Sequence, residues 1–224
     1  MNAKKLSFLL LILVAVACTN RSTSSEQDEM RHWNNVLQQI NALLLENKAR
    51  QTLDLAKQTL PEILESAEKN GTTDTLIYYA RKIFNACGNN YINTKQYKDG
   101  IDYMDSIGNH PLIREHCPHE LLSFKAGLNQ LYGNNPEAVR LAEDYLQLPV
   151  CTSANDFIRQ AEIISGVYMY SGNNLPKAIQ ILEKAIDVYR KGGNFPNMLR
   201  IMSRLGIYYH LSGEYEKAIA TNQE

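Results

Sequence analysis

The chain has 224 residues with 23 Lys and Arg against 24 Asp and Glu, so it lacks the basic excess of a nucleic-acid binder and no nucleic-acid partner is expected. Its 12 Gly and 7 Pro are about 8 % of the residues, below the roughly 12 % of average proteins, which disfavours a loop-rich all-β fold and points to helices. A hydrophobic share of 44 % can fill a sizeable core, although part of it lies in one run at the N-terminus.

Lys4 and Lys5 precede an uncharged apolar run from Phe8 to Ala17 that ends in small side chains before Cys18, the layout of a secretory signal peptide over residues 1–17. Such a run rises about 15 Å as a helix, half of a hydrocarbon core of about 30 Å, too short for a permanent span. Ala15-Val16-Ala17-Cys18 resembles the lipobox of bacterial lipoproteins, with Ala15 where Leu is usual. The resemblance implies lipidation of Cys18 and attachment to the membrane through an N-terminal lipid in the cell envelope. Cleaved secretion without lipid and an uncleaved anchor are the alternatives. Thr19 in place of Asp implies the outer membrane, facing the periplasm or the surface. Residues 18–29 hold no large apolar side chain and read as a flexible tether.

Met30 to Leu45 carries Trp33, Val36, Ile40 and Leu43 or Leu44 at helical spacing. Leu53, Leu55 and Leu60 continue the pattern after the polar break Glu46-Asn47-Lys48. Pro61 either kinks this second helix or begins a new one. Residues 30–71 thus read as an atypical helical hairpin, in the role of an N-terminal cap. The next helix is predicted to start near Thr73 or Asp74, after Asn70-Gly71.

From there the chain repeats itself. Cys87-Gly88-Asn89-Asn90-Tyr91 and the following Lys95-Gln96-Tyr97-Lys98-Asp99-Gly100-Ile101 align without gaps on Leu205-Gly206-Ile207-Tyr208-Tyr209 and Gly213-Glu214-Tyr215-Glu216-Lys217-Ala218-Ile219. Two further turns, Gly133-Asn134-Asn135-Pro136-Glu137-Ala138 and Gly172-Asn173-Asn174-Leu175-Pro176-Lys177-Ala178, share the pattern, the second with one extra residue. With Lys95, Gly133, Gly172 and Gly213 taken as equivalent, the spacings are 38, 39 and 41.

The pattern resembles the tetratricopeptide repeat (TPR), whose Leu-Gly, Tyr, Gly-x-Tyr and Ala signature Leu205, Gly206, Tyr209, Gly213, Tyr215 and Ala218 satisfy. The resemblance implies an all-α fold, an α-solenoid of antiparallel helix hairpins, with the TPR-like array over residues 72–224. Small residues such as Gly88, Gly206, Ala138, Ala178 and Ala218 would let helices approach closely, and Gly at a turn supplies the left-handed conformation that ends a helix. Glu216 to Glu224 suffices only for the start of a second helix and no capping helix follows. A solenoid normally needs such a cap, so the chain is expected to be cut off inside its last repeat and to belong to a longer protein.

No catalytic, cofactor or metal site is expected. His110, His116, Cys117 and His119 cluster without the second ligand pair of a structural zinc site, and Pro118-His119-Glu120 reads as a helix start. Ser165-Gly166 and Ser171-Gly172 lack the glycine that precedes a hydrolase nucleophile. Beyond Cys18, Cys87 falls on a core-facing position, while Cys117 and Cys151 bound one repeat-like segment and can pair if its ends meet.

In the family, the first helix of each hairpin exposes a stripe to a concave groove that binds peptides or partner helices. Aligned position by position, the resemblance puts Lys82, Asn85, Asn89 and Asn93 on that stripe, then Arg159, Glu162, Met169 and Tyr170, then Arg200, Ser203 and His210. Asn is a poor helix former, so three on one face ask for a reason, and amides can both donate to and accept from a peptide backbone. The expected function is a non-catalytic scaffold for a protein or peptide partner. The alternative is the extracytoplasmic sensor region of a longer histidine kinase or regulator, which the repeat arrangement also resembles.

Overall fold

The computed structural model describes residues 27–149, 154–192 and 195–223. Cys18, the lipobox and most of the expected tether lie outside the described residues. Helix α1 covers 27–45, followed by α2 (Ala49–Asn70), α3 (Asp74–Asn93), α4 (Tyr97–Ile107), α5 (Pro111–His116) and α6 (Pro118–Tyr132). Then come α7 (Asn135–Gln147), α8 (Ala154–Tyr170), α9 (Leu175–Gly192), α10 (Phe195–Ser212) and α11 (Tyr215–Gln223). The fold is all-α, and no helix among the described residues is long and apolar enough to cross a membrane.

Among the described residues, five turns close helical hairpins, and each contains one left-handed residue: Asn47, Lys95, Gly133, Asn173 and Gly213. In four of them the geometry is the same. The left-handed residue's N–H donates to the carbonyl three residues back, from Asn47, Lys95, Gly133 and Gly213 to Leu44, Ile92, Gln130 and His210, each at 3.1 Å. The next N–H reaches five residues back, from Lys48, Gln96, Asn134 and Glu214 to Leu43, Tyr91, Asn129 and Tyr209, at 2.8–3.1 Å. This is the Schellman pair of bonds, which satisfies carbonyls that the helix end leaves open.

The turn at 171–174 departs, because it holds the extra residue. Asn174 N–H donates six residues back, to Tyr168 at 2.9 Å, and the left-handed residue is Asn173 at φ 44°. The expected equivalence of Gly172 with Lys95, Gly133 and Gly213 is therefore corrected by one position.

The residue five after each left-handed position is small: Thr52, Gly100, Ala138, Ala178 and Ala218, all buried. Each donates its N–H to the carbonyl of the residue following the left-handed one, at 2.9–3.1 Å, the first bond of the second helix. A small side chain there lets the second helix close onto the first.

The N-terminal hairpin is antiparallel: Ser66 Oγ donates to Glu29 at 2.9 Å and His32 lies 3.3 Å from Glu62. Helix α1 already covers Gln27, Asp28 and Glu29, so the end of the stretch read as tether is helical. Helix α2 continues through Pro61 as a single element, which removes the option of a new helix starting there. Thr73 caps α3 by accepting the Leu76 N–H at 3.2 Å. The second helix of the next hairpin is broken at Gly108, and the short α5, opened by Pro111, adds Leu112 and Ile113 to the core.

Two cores meet at α6. Phe124 and Leu128 belong to the cluster built by α1 to α5, with Trp33, Ile63 and Phe84, whereas Ala126 belongs to the cluster of α7 to α11, with Leu141, Tyr168 and Ile201. First helices touch through glycine. A Cβ at Gly88 would stand 2.5 and 2.6 Å from Phe124 ring carbons, and one at Gly127 would stand 2.7 Å from the Ile163 side chain. Gly88 therefore spaces α3 from α6, in the next hairpin, whereas Gly206 faces Asn222 of its own partner α11.

Gly88→Ala should lower the unfolding free energy in urea by about 1–3 kcal/mol, because the Phe124 ring must move. Gly166→Ala, where nothing lies nearer than 3.8 Å, should instead raise it by about 0.5–1 kcal/mol through helix propensity. Equal responses at the two sites would contradict this packing.

Candidate functional site

Helical spacing from Lys82 through Asn85 to Asn89 puts three polar side chains on one face of α3, and all three are half-buried. They form one wall of a cleft of about 180 Å³. Ser123 and Phe124 of α6 make its middle, and Arg159, Gln160 and Ile163 of α8 its far wall. The same glycine contacts that set the spacing of α3, α6 and α8 place Phe124 and Ile163 in the lining.

Beside the cleft, charge is closely managed. Glu120, buried on α6, lies 3.2 Å from Arg81 Nε, and Arg81 Nη2 donates to the His116 carbonyl at 2.5 Å. Glu162, also buried, takes Arg200 at 2.6 Å, and its backbone carbonyl accepts Arg204 Nη1 at 2.9 Å. Arg159 is in no ion pair among the described residues, and Lys82 rests over the Tyr78 ring at 5.7 Å. Arg159 is exposed; partial desolvation and then the neighbouring Arg200 charge lower its pKa from the ordinary value, and the Glu162 carboxylate opposes them.

Of the stripe residues named from the sequence, the structure brings Lys82, Asn85, Asn89 and Arg159 to this cleft. Asn93 is exposed at the end of α3, and Tyr170 is exposed at the end of α8. Glu162 and Arg200 are spent on each other, and Ser203 Oγ donates to the Leu199 carbonyl at 2.9 Å. Two positions leave the stripe. Met169 is half-buried against the second core, and the His210 ring packs edge-on to Tyr215 of α11 at 5.3 Å. Counting two residues back from the left-handed Gly213 gives Leu211 as the exposed equivalent of Asn93.

Sequence reasoning missed Ser123, Phe124, Gln160 and Ile163. The signal for Gln160 was the extra residue in the 171–174 turn: counted from Gly172 the equivalent of Lys82 is Arg159, and counted from Asn173 it is Gln160. Both line the cleft.

The histidine cluster disperses to separate partners. His110 caps α5, its Nδ1 accepting the Leu112 N–H at 3.2 Å while Nε2 meets Glu68 at 3.1 Å. His119 Nε2 donates to the Pro149 carbonyl at 2.7 Å. No group of three His, Cys, Asp or Glu among the described residues could hold a metal ion. Cys117 is buried at the α5–α6 junction and Cys151 lies outside the described residues. Cys87 is buried against Tyr103, and burial pushes its thiol pKa up to about 12, which keeps it unreactive. A larger cleft of about 350 Å³ opens between α9, α10 and α11, where the carboxylate of Glu183 already accepts the Tyr209 hydroxyl at 2.5 Å.

Residues 161–224 match the tetratricopeptide repeat family model. No curated protein matches the chain. Among solved structures, the chain is similar to the nearly identical TPR-like repeats of a kinesin light chain candidate from Podosopora anserina. The likeness has 12 % identity, covers 85 % of this chain and 91 % of that one, and has a TM-score of 0.52. A single-substitution variant of the same protein gives 0.53 at the same identity and coverage. At that identity the likeness is one of fold.

Glu120→Ala, which removes the buried carboxylate beside Arg81 at the α3–α6 junction, should cost about 3 kcal/mol of unfolding free energy. Arg140→Ala on α7, where the pairs are exposed, should cost less than about 1 kcal/mol. Urea melts that rank the two the other way would contradict a structural role for the buried pair.

Proposed function

For an all-α chain of TPR-like hairpins, we propose a non-catalytic scaffold that binds a protein or peptide partner in the groove lined by the first helices, tied to the bacterial cell envelope by a lipid on Cys18. The observation that carries the binding reading is the cleft in which Lys82, Asn85 and Asn89 of one hairpin meet Arg159 of another across α6. Lys82 rests over the Tyr78 ring and Arg159 is in no ion pair among the described residues, and amides at such spacing can pair with the alternating donors and acceptors of an extended peptide. Exposed Tyr170, Ile207 and Leu211 on the neighbouring first helices offer apolar anchor area beside the polar wall. The anchoring reading rests on the Ala15-Val16-Ala17-Cys18 sequence after a short apolar run. It places the scaffold on the outer membrane, facing the periplasm or the surface.

Two experiments test these readings. A photo-crosslinking amino acid at Asn93 or Tyr170 is expected to capture a polypeptide in cells, and one at Asp144 on α7 is not. Capture should weaken in the Asn89→Ala, Asn93→Ala double variant while the unfolding free energy stays within about 0.5 kcal/mol of the parent. Equal capture at all three positions overturns the groove reading. Cys18→Ser should abolish incorporation of a labelled fatty acid, and retained label would overturn the anchor.

A further inference from the structure

We infer that the junctions between successive hairpins carry a charge polarity that fixes which hairpin docks on which. The polarity of the first junction is reversed, which keeps the α1–α2 hairpin from exchanging with a later one, in its own chain or in a second copy. Its residues, Lys57, Tyr91 and Asp99, lie outside the cleft of Lys82 and Arg159.

Counted from the left-handed residue of each turn, the junctions superpose. The residue whose carbonyl closes the turn is Tyr91, Tyr168 or Tyr209, and each is buried. On the second helix of the preceding hairpin, the tenth residue after its own left-handed position is Lys57, Glu143 or Glu183. On the second helix of the tyrosine's own hairpin, the fourth residue after the left-handed position is Asp99, Lys177 or Lys217. Each tyrosine is thus in register with one charge from the preceding hairpin and the opposite charge from its own. The signs run Lys to Asp at the first junction and Glu to Lys at the last two.

Contacts are made at both polarities. Lys57 Nζ stands 5.6 Å from the Tyr91 ring centroid and 5.9 Å from that of Tyr103 on α4, within the range of a cation over an aromatic face. Lys177 reaches from α9 to Glu143 on α7 at 2.6 Å and lies 4.7 Å from the Tyr168 centroid. At the last junction Glu183 on α9 accepts the Tyr209 hydroxyl, and Lys217 on α11 lies 5.3 Å from the same ring. The junction between α4 and α6 has no such tyrosine. Asn129 stands in its place, and the flanking acids Asp105 and Glu137 turn to Lys125 and Arg140. That junction is held instead by Phe124 over Gly88 and by Arg81 with Glu120.

Hairpins that share a turn geometry and a small residue behind it can dock in more than one order, and exchange between them is a characteristic failure of repeat arrays. Polarity excludes the wrong orders. The α1–α2 hairpin docked ahead of α8–α9 or α10–α11 would set Lys57 against Lys177 or Lys217. A later hairpin docked ahead of α3–α4 would set Glu143 or Glu183 against Asp99. Like charges remove the attraction and add repulsion, so each wrong docking is weakened about tenfold. Tyrosine serves either sign, because its ring face takes a cation and its hydroxyl donates to a carboxylate. An overall charge of −1 gives two copies little mutual repulsion, so the discrimination has to be local.

Unfolding the full chain in urea and refolding it test this. Lys57→Glu and Asp99→Lys, each alone, put like charges at the first junction and should lower the folding equilibrium constant about fivefold. Arg50→Glu, on α2 but outside the junction, should not lower it. Lys57→Glu and Asp99→Lys together recreate the Glu-to-Lys layout of the later junctions, so the double variant should return to within about twofold of the parent. It should also lose the discrimination. Refolded at high concentration, it is expected to form exchanged dimers at least about threefold more than the parent, read by size-exclusion chromatography with light scattering. Single variants as stable as the parent, or a double variant no better than the weaker single, overturn the paired junction. A restored double variant that refolds to monomer as cleanly as the parent overturns the guard against exchange.

Discussion

The structure depends on large side chains seated over glycines of the preceding hairpin. Phe124 of α6 packs over Gly88 of α3, and Ile163 of α8 packs over Gly127 of α6. In both cases the contact runs between first helices of successive hairpins, and in both a methyl group at the glycine would overlap the neighbour. Close packing at these two points leaves no slack for sliding or splaying, because interiors packed at crystal-like density accept little added volume. Helix α6 is thereby held on both sides. It contributes Phe124 and Leu128 to one core and Ala126 to the other, so the two clusters are joined through one helix.

The same contacts make the cleft. Phe124 and Ile163 are at once the side chains that fill the glycine gaps and part of the cleft lining. Their bulk sets the distance between the α3 wall, with Lys82, Asn85 and Asn89, and the α8 wall, with Arg159 and Gln160. Charge then sorts into two kinds. Arg81 with Glu120 and Arg200 with Glu162 bind first helices to one another with one partner of each pair buried, where breaking the pair is costly. The pairs on the second helices are exposed and contribute little to stability. Lys82 and Arg159, in no ion pair among the described residues, face the cleft.

Much of the architecture was legible because it is local. Lys95, Gly133 and Gly213 are each followed five residues later by Gly100, Ala138 and Ala218, and a turn that must bond three and five residues back writes that spacing into the chain. The first hairpin follows the same rule with Asn47 and Thr52, where other turns carry Gly or Lys and then Gly or Ala, so only its apolar periodicity was readable. Asn can enter the left-handed region at modest cost, which hides the turn from a search for glycine. The turn at 171–174 shows the opposite failure: Gly172 looked like the equivalent residue, but the extra residue carried the left-handed position to Asn173. That single shift is why Gln160 was missed while Arg159, its neighbour, was found. Met169 and His210 went astray for a related reason, since one residue of helical rotation turns a side chain by about 100° and carries it off the stripe.

By itself, the sequence determined the helical class, the hairpin repeat and its period, and the polar face of α3, all of which follow from spacing within about ten residues and from the stereochemistry of turns. Tertiary structure alone decided which hairpin each glycine serves, that Glu120 and Glu162 are consumed by Arg81 and Arg200, and that Lys82 shares a cleft with Arg159 and Gln160. These are contacts between helices tens of residues apart. Their partners are selected by side-chain volume and by the competition of several arginines for two buried carboxylates, neither of which leaves a periodic mark along the chain.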